Sequence, residues 1–430
     1  MNGSVAYILM GFPRVSETFI ASEILRVERA GVPLRLYVIK PVEEREQGHD
    51  HPVLDAIAAA PEYLPDPKGL TKPLHLWRYA DVREFLPALG RCIRRRPHGV
   101  ARAARTAVAQ AFRDRRTPTS GPRKIYIKEL VQAITLADRL HPDVRHLHAH
   151  FAHGTTTITW LAACITGLPF SFTGHARDIY APELNPKGWL RRKLNAARFV
   201  VTCTEANVRH LRAIAPKARV HLVYHGLSAD FTNLLRETNG HGVHSNGRLR
   251  ILGVGRLVAK KGFDVLVDAC AVLEQRGIAF DALIVGQDDK DGDALRAKIA
   301  QLGSPVRLPG PLGPADLLTE YRRAGALCMP CRLLPSDRDG IPNVLVEAMA
   351  AGAPVVATNV SGIPELVEHE VNGLLVEPDD PHALADALVR LHDDAELTRR
   401  ITANGRETVK ARFDGDRLAQ ELADLFREVL

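Results

Sequence analysis

Long apolar runs are absent from this chain: none approaches the roughly 18 residues that a helical membrane span requires. The start also lacks a basic n-region. MNGSVAYILMGFP runs straight into a strand-like segment, so no signal peptide is expected. Cysteine is sparse, with six residues scattered at Cys92, Cys164, Cys203, Cys270, Cys328 and Cys331. That spread argues against a disulfide framework and for reduced thiols in a cytosol. Aromatic residues make up only 6% of the chain. The one strongly basic stretch is poor in them and carries no recognition motif, which disfavours nucleic acid as a partner. What is present is ordinary for a globular protein: 430 residues, 46% apolar and 25% charged. That length is too great for one core and predicts two domains of about 200 residues each.

The net charge of +7 hides an asymmetry. Residues 1–225 hold 34 Lys and Arg against 19 Asp and Glu, and the remainder holds 23 against 31. The halves therefore carry +15 and −8, as expected of two domains with different electrostatic tasks. The excess is densest from Arg91 to Lys124, where Arg94, Arg95, Arg96, Arg102, Arg105, Arg113, Arg115 and Arg116 face only Asp114. The plain reading is a solvated helix face. The sharper one is attraction to an anionic membrane surface or a phosphorylated acceptor, at about 1 kcal/mol per basic residue near anionic lipid.

Strand-like apolar runs alternate with helix-period segments along most of the chain, the pattern of an α/β protein with parallel sheets. In the first half the strands read VAYILM, LRLYVI, RHLHAHF, FSFTGH, FVVTC and VHLVYH. Residues 41–121 break the rhythm and read as a helical insertion. The cluster NGHGVHSNG before residue 248 has linker character. A second alternation follows through LRILGVGR, FDALIVG, VRLPG, ALCMPC, APVVAT and LLVEP. These features predict a first domain over 1–235 and a second over 247–410, both doubly wound and facing across a cleft. The tail from His382 reads as continuous helix with a break at ANG, its last part, 411–430, crossing to the first domain.

Several turns carry chemistry-bearing residues. In LGVGRLVAKKGF a strand ends at Gly253 and Gly255, and Arg256 and Lys261 supply positive charge suited to a diphosphate. A dinucleotide fingerprint would need glycine at 258, where the chain has Val258. In SDRDGIPNVLVEAMAAG, Gly340, Ile341 and Pro342 lead into a helix whose first NH groups, near Asn343 and Val344, form a ready phosphate site. Asp339 precedes that helix and Glu347 lies on it, two carboxylates able to hold sugar or ribose hydroxyls. The bland alternative is that Asp339 caps the helix and Glu347 is solvated. Gly362 and Glu365 repeat the turn-to-helix theme after the next strand, where a first-turn Glu is ordinarily dipole compensation.

In the first half, His175 follows a strand at its carboxyl end, and Gly11 and Ser16 lie in the GFPRVSETFI loop, with Ser16 a candidate N-cap. His146, His148 and His150 would share one strand face but sit too far apart for one ion, so no metal site is expected. Cys328 and Cys331 form a C-x-x-C inside a strand pattern, which does not favour zinc or redox chemistry.

The ordered set GRLVAKKGFDVLVDA, PSDRDGIPNVLVEAMAAGAPVVATNVSGIPELV and VNGLLVEPDD resembles glycosyltransferase family 4, the large retaining group with the GT-B fold. FPRVSETFI, HLHAHFAH and FTGHARDIY resemble its bacterial exopolysaccharide branch of the colanic-acid type. The resemblance implies a nucleotide-diphosphate sugar as co-substrate, no cofactor or metal, and catalytic roles for His175, Arg256, Lys261 and Asp339. Arg256 and Lys261 would hold the diphosphate, Asp339 the sugar and Glu347 the ribose. Gly11, Ser16, Gly255, Gly340, Ile341, Pro342, Asn343, Val344, Gly362 and Glu365 would line the donor site. The family usually has Glu where this chain has Asp339, about one methylene shorter.

The implied reaction is direct transfer with retention at the anomeric carbon, helped by domain closure that excludes water. The expected acceptor is a glycan or lipid-linked glycan, with the protein cytoplasmic or peripheral at the inner face of the membrane. Competing readings are transfer to a small soluble acceptor such as an aminocyclitol, a nucleotide-sugar 2-epimerase, and a non-catalytic sugar-nucleotide-binding subunit.

Overall fold

The structure is a computed structural model that describes residues 3–14, 18–41, 52–65, 70, 78, 82–115, 121–236, 248–335 and 337–430. Ser16, Arg116 and the linker cluster 237–247 lie outside the described residues. The chain divides into two compact units. The first comprises Met1–Cys203, Asn207–Val223 and Ala419–Leu430, and the second Thr204–Ala206 and Tyr224–Leu418.

The first unit is built on a seven-stranded sheet in the order β3-β2-β1-β4-β5-β6-β7. The strands are β1 (Ser4–Leu9), β2 (Leu34–Val38), β3 (Pro61–Tyr63), β4 (Val144–His150), β5 (Phe170–Gly174), β6 (Val200–Thr202) and β7 (Val220–Leu222). Every pairing is parallel. A strand covered on both faces needs an unbroken apolar run, and all six residues of β1 are buried. The order reverses between β1 and β4, so the loops leaving their carboxyl ends flank a topological switch point, where α/β folds place ligands.

The second unit repeats the design with β8 (Leu249–Val254), β9 (Phe280–Val285), β10 (Val306–Gly310), β11 (Ala326–Met329), β12 (Val355–Thr358) and β13 (Leu374–Val376). Their order is β10-β9-β8-β11-β12-β13, all parallel, with the switch between β8 and β11. Gly262, before the helix Phe263–Gln275, shows why the turn after β8 is tight. Its φ is +66°, and a Cβ there would lie 1.9 Å from the carbonyl oxygen of Pro330. Only glycine lets the two loops at this switch point approach so closely.

Three expectations are corrected. The division falls at Tyr224, not at 235, because Leu227, Phe231 and Leu234 are buried in the second unit's core. The insertion 41–121 is not purely helical: β3 pairs with β2 at the sheet edge through Leu36, Tyr37 and Val38. The tail does not break at ANG, since Gly405 lies within the helix Ala395–Arg412, where a Cβ would be 3.2 Å from Met349 Cε. The breaks come instead at Asp394, whose side chain caps the next helix by accepting from the NH of Leu397, and at Phe413–Asp414. The last helix, Gly415–Arg427, ends in the first unit, where Phe426 packs against Tyr7, His148 and Phe199. Among the described residues, no helix is long and apolar enough to cross a membrane.

Candidate functional site

In the second unit, the loop after β8 carries Arg256, Lys260 and Lys261, and the loop after β11 carries Asp337 and Asp339. Chain topology places these loops side by side at the switch point, and their charges meet there. Lys261 Nζ lies 2.8 Å from Asp339 Oδ2, Lys260 Nζ lies 3.1 Å from Asp339 Oδ1, and Lys260 also donates to Asp337 at 2.9 Å. Only 19% of the Asp339 side chain is exposed. Burial opposes its ionisation, but Lys261 and Lys260 outweigh that and hold its carboxyl at about 2. For Lys261 burial pulls the ammonium down, while the Asp339 carboxylate more than offsets it, so it stays cationic. Arg256 pairs with Asp289 at 3.1 Å. Sequence reasoning named Arg256, Lys261 and Asp339 but missed Lys260. Two adjacent lysines at a strand-to-helix turn were the available signal.

Asp339 is no helix cap. The helix Asn343–Ala351 has Pro342 at its N-cap and, among the described residues, no side-chain hydrogen bond there. Its first NH groups, at the half-buried Asn343 and Val344, are thus left for an anion. Gly340 and Ile341 form the half-buried approach to it. Nor is Glu347 solvated: it is 8% exposed and accepts from the Tyr321 hydroxyl at 2.9 Å. Gly255, just after β8, packs against the Lys261 side chain, 3.2 Å from where a Cβ would sit to Cε.

The loop after β12 joins the same end of the sheet. The Ser361 hydroxyl donates to the Asp339 carbonyl oxygen, and Gly362 packs against Gly340 and Ile341. Glu365 accepts from the NH groups of Glu205 (2.7 Å) and Ala206 (2.8 Å) and from the Tyr224 hydroxyl (3.2 Å), all within the second unit. Its carboxylate therefore holds protein groups together, which its position in a first helical turn did not announce. Cys328 and Cys331 are both buried thiols, and burial pushes Cys331 up to about 12, so both stay protonated near neutral pH.

In the first unit, Gly11 is buried in the loop after β1, and His175 follows β5 with 8% exposure. The His175 NH donates to Asp178 Oδ1 at 3.0 Å, and its carbonyl accepts from the Asn207 side chain. The β4 histidines are buried. His146 and His148 bond Ser171 at 2.7 and 2.8 Å, and His148 bonds Thr173 at 3.1 Å. Glu23, on the helix Thr18–Arg29, joins His148 and His150 with all three ligand atoms within 4.8 Å of one another. Strand spacing alone could not foresee a carboxylate arriving from a helix. A cation there would compete with the hydrogen bonds those rings already make.

Two family models match the chain: Glycosyltransferase Family 4 over residues 88–231 and Glycosyl transferases group 1 over residues 248–394. AmsK of Erwinia amylovora, described as an amylovoran biosynthesis glycosyltransferase, is 36% identical over 42% of this chain and 45% of its own. WcaL of Escherichia coli, described as a colanic acid biosynthesis glycosyltransferase, is 36% identical over 58% of this chain and 55% of its own. The matched stretch thus spans about half the length of these curated relatives. HepE from Anabaena, solved with UDP and glucose, superposes with a TM-score of 0.66 over 99% of this chain and 100% of its own, at 17% identity. That likeness shows the fold, which is GT-B. The chain thus joins a Glycosyltransferase Family 4 domain to a Glycosyl transferases group 1 domain and belongs to the glycosyltransferases these models describe.

Proposed function

We propose that the protein is a retaining glycosyltransferase. It moves a sugar from a nucleotide-diphosphate donor to an acceptor hydroxyl in exopolysaccharide or other cell-surface glycan biosynthesis. The observation that carries this reading is the cluster of Lys260, Lys261 and Asp339 beside the uncapped helix start at Asn343. A diphosphate leaving group needs positive charge that is already in place as the anomeric bond breaks. The two lysines supply it, Arg256 adds more when it exchanges Asp289 for phosphate, and the helix NH groups complete the cradle. The reading needs no metal, because these cations do the work a divalent ion would. Asp339 would accept sugar hydroxyls, Glu347 the ribose hydroxyls, and His175 a hydroxyl of the transferred sugar. The relatives' descriptions in amylovoran and colanic acid biosynthesis support a surface glycan as product, and UDP on HepE supports a nucleotide donor.

The acceptor we favour is lipid-linked, with the enzyme working at the cytoplasmic membrane face. The helices Leu86–Arg95 and Pro97–Arg113 expose Ile93, Val108 and Phe112 among Arg94, Arg95, Arg96, Arg102 and Arg105. Exposed apolar side chains interspersed with arginines suit an anionic lipid surface, which offers both charge and apolar burial.

Thermal-shift screening against UDP-, GDP- and dTDP-sugars identifies the donor, since bound donor raises the melting temperature by mass action. Transfer to a bacterial lipid extract, with the product's anomeric configuration read by NMR, then tests the reaction. Arg256→Ala and Lys261→Ala should each lower turnover by roughly 100- to 1000-fold. Undiminished turnover in both would overturn this account of the site. An epimerised nucleotide sugar formed from donor alone would make the protein an epimerase instead.

A further inference from the structure

We infer that Glu23 and His150 are positioning residues for His175: the three form a hydrogen-bonded chain, buried at both histidines, that fixes which ring nitrogen of His175 carries a proton. The inference deepens the reading of His175 given above and rests on it for its link to turnover, though not for its geometry.

All three residues come from the switch point of the first sheet. Glu23 lies on the helix after β1, His150 ends β4, and His175 follows β5. His150 Nε2 is 3.1 Å from Glu23 Oε1, and His150 Nδ1 is 3.3 Å from His175 Nε2. The Tyr7 hydroxyl donates to the same Glu23 oxygen at 3.0 Å. An ionised carboxylate only accepts hydrogen bonds, so the proton between Glu23 and His150 sits on His150 Nε2. An imidazole that donates from Nε2 has Nδ1 as its acceptor, and the His175 Nε2 facing it at 3.3 Å completes the chain as an Nε2–H donor. His175 is thereby set in the tautomer whose Nδ1 bears no proton and can accept from a sugar hydroxyl.

The neighbouring histidine is built differently. His148 bonds two hydroxyls, Ser171 and Thr173, which can each donate or accept and so dictate no tautomer. Burial, then His150 and His146, press its pKa well below the usual range, so it stays neutral beside the chain. Among the described residues, His150 is the one β4 histidine hydrogen-bonded to both a carboxylate and His175. The target ring is also held in place. Phe151 and Phe19 pack on His175 at centroid distances of 4.6 and 5.2 Å, and its NH is fixed by Asp178. The arrangement thus constrains both the orientation of the ring and its protonation pattern, the two properties a hydrogen-bond acceptor to substrate must have before substrate arrives.

The test combines a spectroscopic and a kinetic readout. Protein labelled with 15N-histidine, with His175 assigned by its loss in His175→Asn, should show His175 as the Nε2–H tautomer at neutral pH. His150→Phe should abolish that preference, and Glu23→Ala should weaken it. Glu23→Gln keeps an acceptor oxygen and should restore it. With the donor found above, His150→Phe and Glu23→Ala should lower kcat on the order of 10- to 100-fold, with donor KM changed less than about threefold. Glu23→Gln should recover most of the rate.

An Nδ1–H tautomer in the unaltered protein overturns the inference, as do His175 signals unchanged in His150→Phe. One divalent ion per chain, released on denaturation and lost in Glu23→Gln, would overturn it in favour of a metal site. Unaltered turnover in His175→Asn would sink the catalytic reading of His175 alone, because the ring signals report the chain independently of activity.

Discussion

At Glu347 a carboxylate on an ordinary helix is taken out of water and accepts from the Tyr321 hydroxyl, itself fully buried. Removing that hydroxyl deletes a buried hydrogen bond to a carboxylate, a loss of about 1.5–3 kcal/mol for a hydrogen bond to a charged group. Tyr321→Phe should therefore lower stability by about 2 kcal/mol in urea denaturation and raise the donor KM, because Glu347 loses its orientation. If both measurements match the unaltered protein, the hydroxyl does not hold Glu347. Tyr321 also marks the limit of what the linear chain discloses at this scale. Arg256, Lys261, Asp339 and Glu347 stood out as candidates because each sits at a strand-to-helix turn or one helical turn beyond it. Tyr321 lies 26 residues from Glu347 on a different helix, and nothing in its own neighbourhood marks it. Lys260 was overlooked for the opposite reason. Next to Lys261 it read as one more surface lysine, yet folding buries it against Asp337 and Asp339.

Among the elements, strands were readable wherever an apolar run of four or more residues stood between turn signals, as in β1, β8 and β12. β3 was not. PEY is three residues long at a sheet edge, and a Pro-rich context hides it. The uninterrupted helix across ANG escaped as well, because Gly405 is there for close packing against Met349.

Helix packing also creates a titrating pair that no motif announced. Glu129, on the helix Lys124–Arg139, is driven up by burial to about 7 despite Lys193 and Lys128. Lys193, on the helix Trp189–Ala196, is driven down by burial to about 7 despite Glu129 and Asp178, while it donates to the Ala152 carbonyl and to Asn185. Between the ordinary glutamate value and about 7, the folded protein binds a proton at Glu129 that the unfolded chain has released. The stability this supplies is therefore lost as pH rises through that window. Lys193 has the opposite sign: its folded value is depressed, so its contribution is present at alkaline pH and lost as pH falls toward about 7. Urea denaturation of the unaltered protein and Glu129→Gln across pH 5 to 7 should show the difference in stability shifting in the variant's favour as pH rises. A constant difference would mean that Glu129 does not titrate there.

On the scale of the whole molecule, each unit has its own sheet, core and switch point, and the charge imbalance of the two sequence halves falls largely on separate units. The first unit's excess is concentrated on two helices whose buried sides are small. Pro97–Arg113 buries Ala103, Ala107 and Ala111, and a Cβ on Gly99 would lie 2.3 Å from the Ile165 carbonyl oxygen, so this helix packs very closely. Its opposite side is left wide and basic. Arg91 is spent on Asp138, and the Arg115 guanidinium lies 4.2 Å above the Phe112 ring, but Arg94, Arg95, Arg96, Arg102 and Arg105 stand exposed.

A face of this kind gains from anionic lipid in two separable ways: charge attraction that salt screens, and apolar burial that salt leaves in place. In flotation assays the protein should bind vesicles containing phosphatidylglycerol and not vesicles of phosphatidylcholine alone, and binding should weaken between low and physiological salt. Replacing Arg94, Arg95 and Arg102 together by Ala should reduce binding by about 100-fold, at about 1 kcal/mol for each charge. Phe112→Ser with Ile93→Ser should reduce it too, but with the remaining salt dependence intact, because those side chains act through burial. Equal affinity for both vesicle types, or binding untouched by the arginine replacements, would leave these helices a solvated surface. A soluble acceptor would then be the better reading of the site.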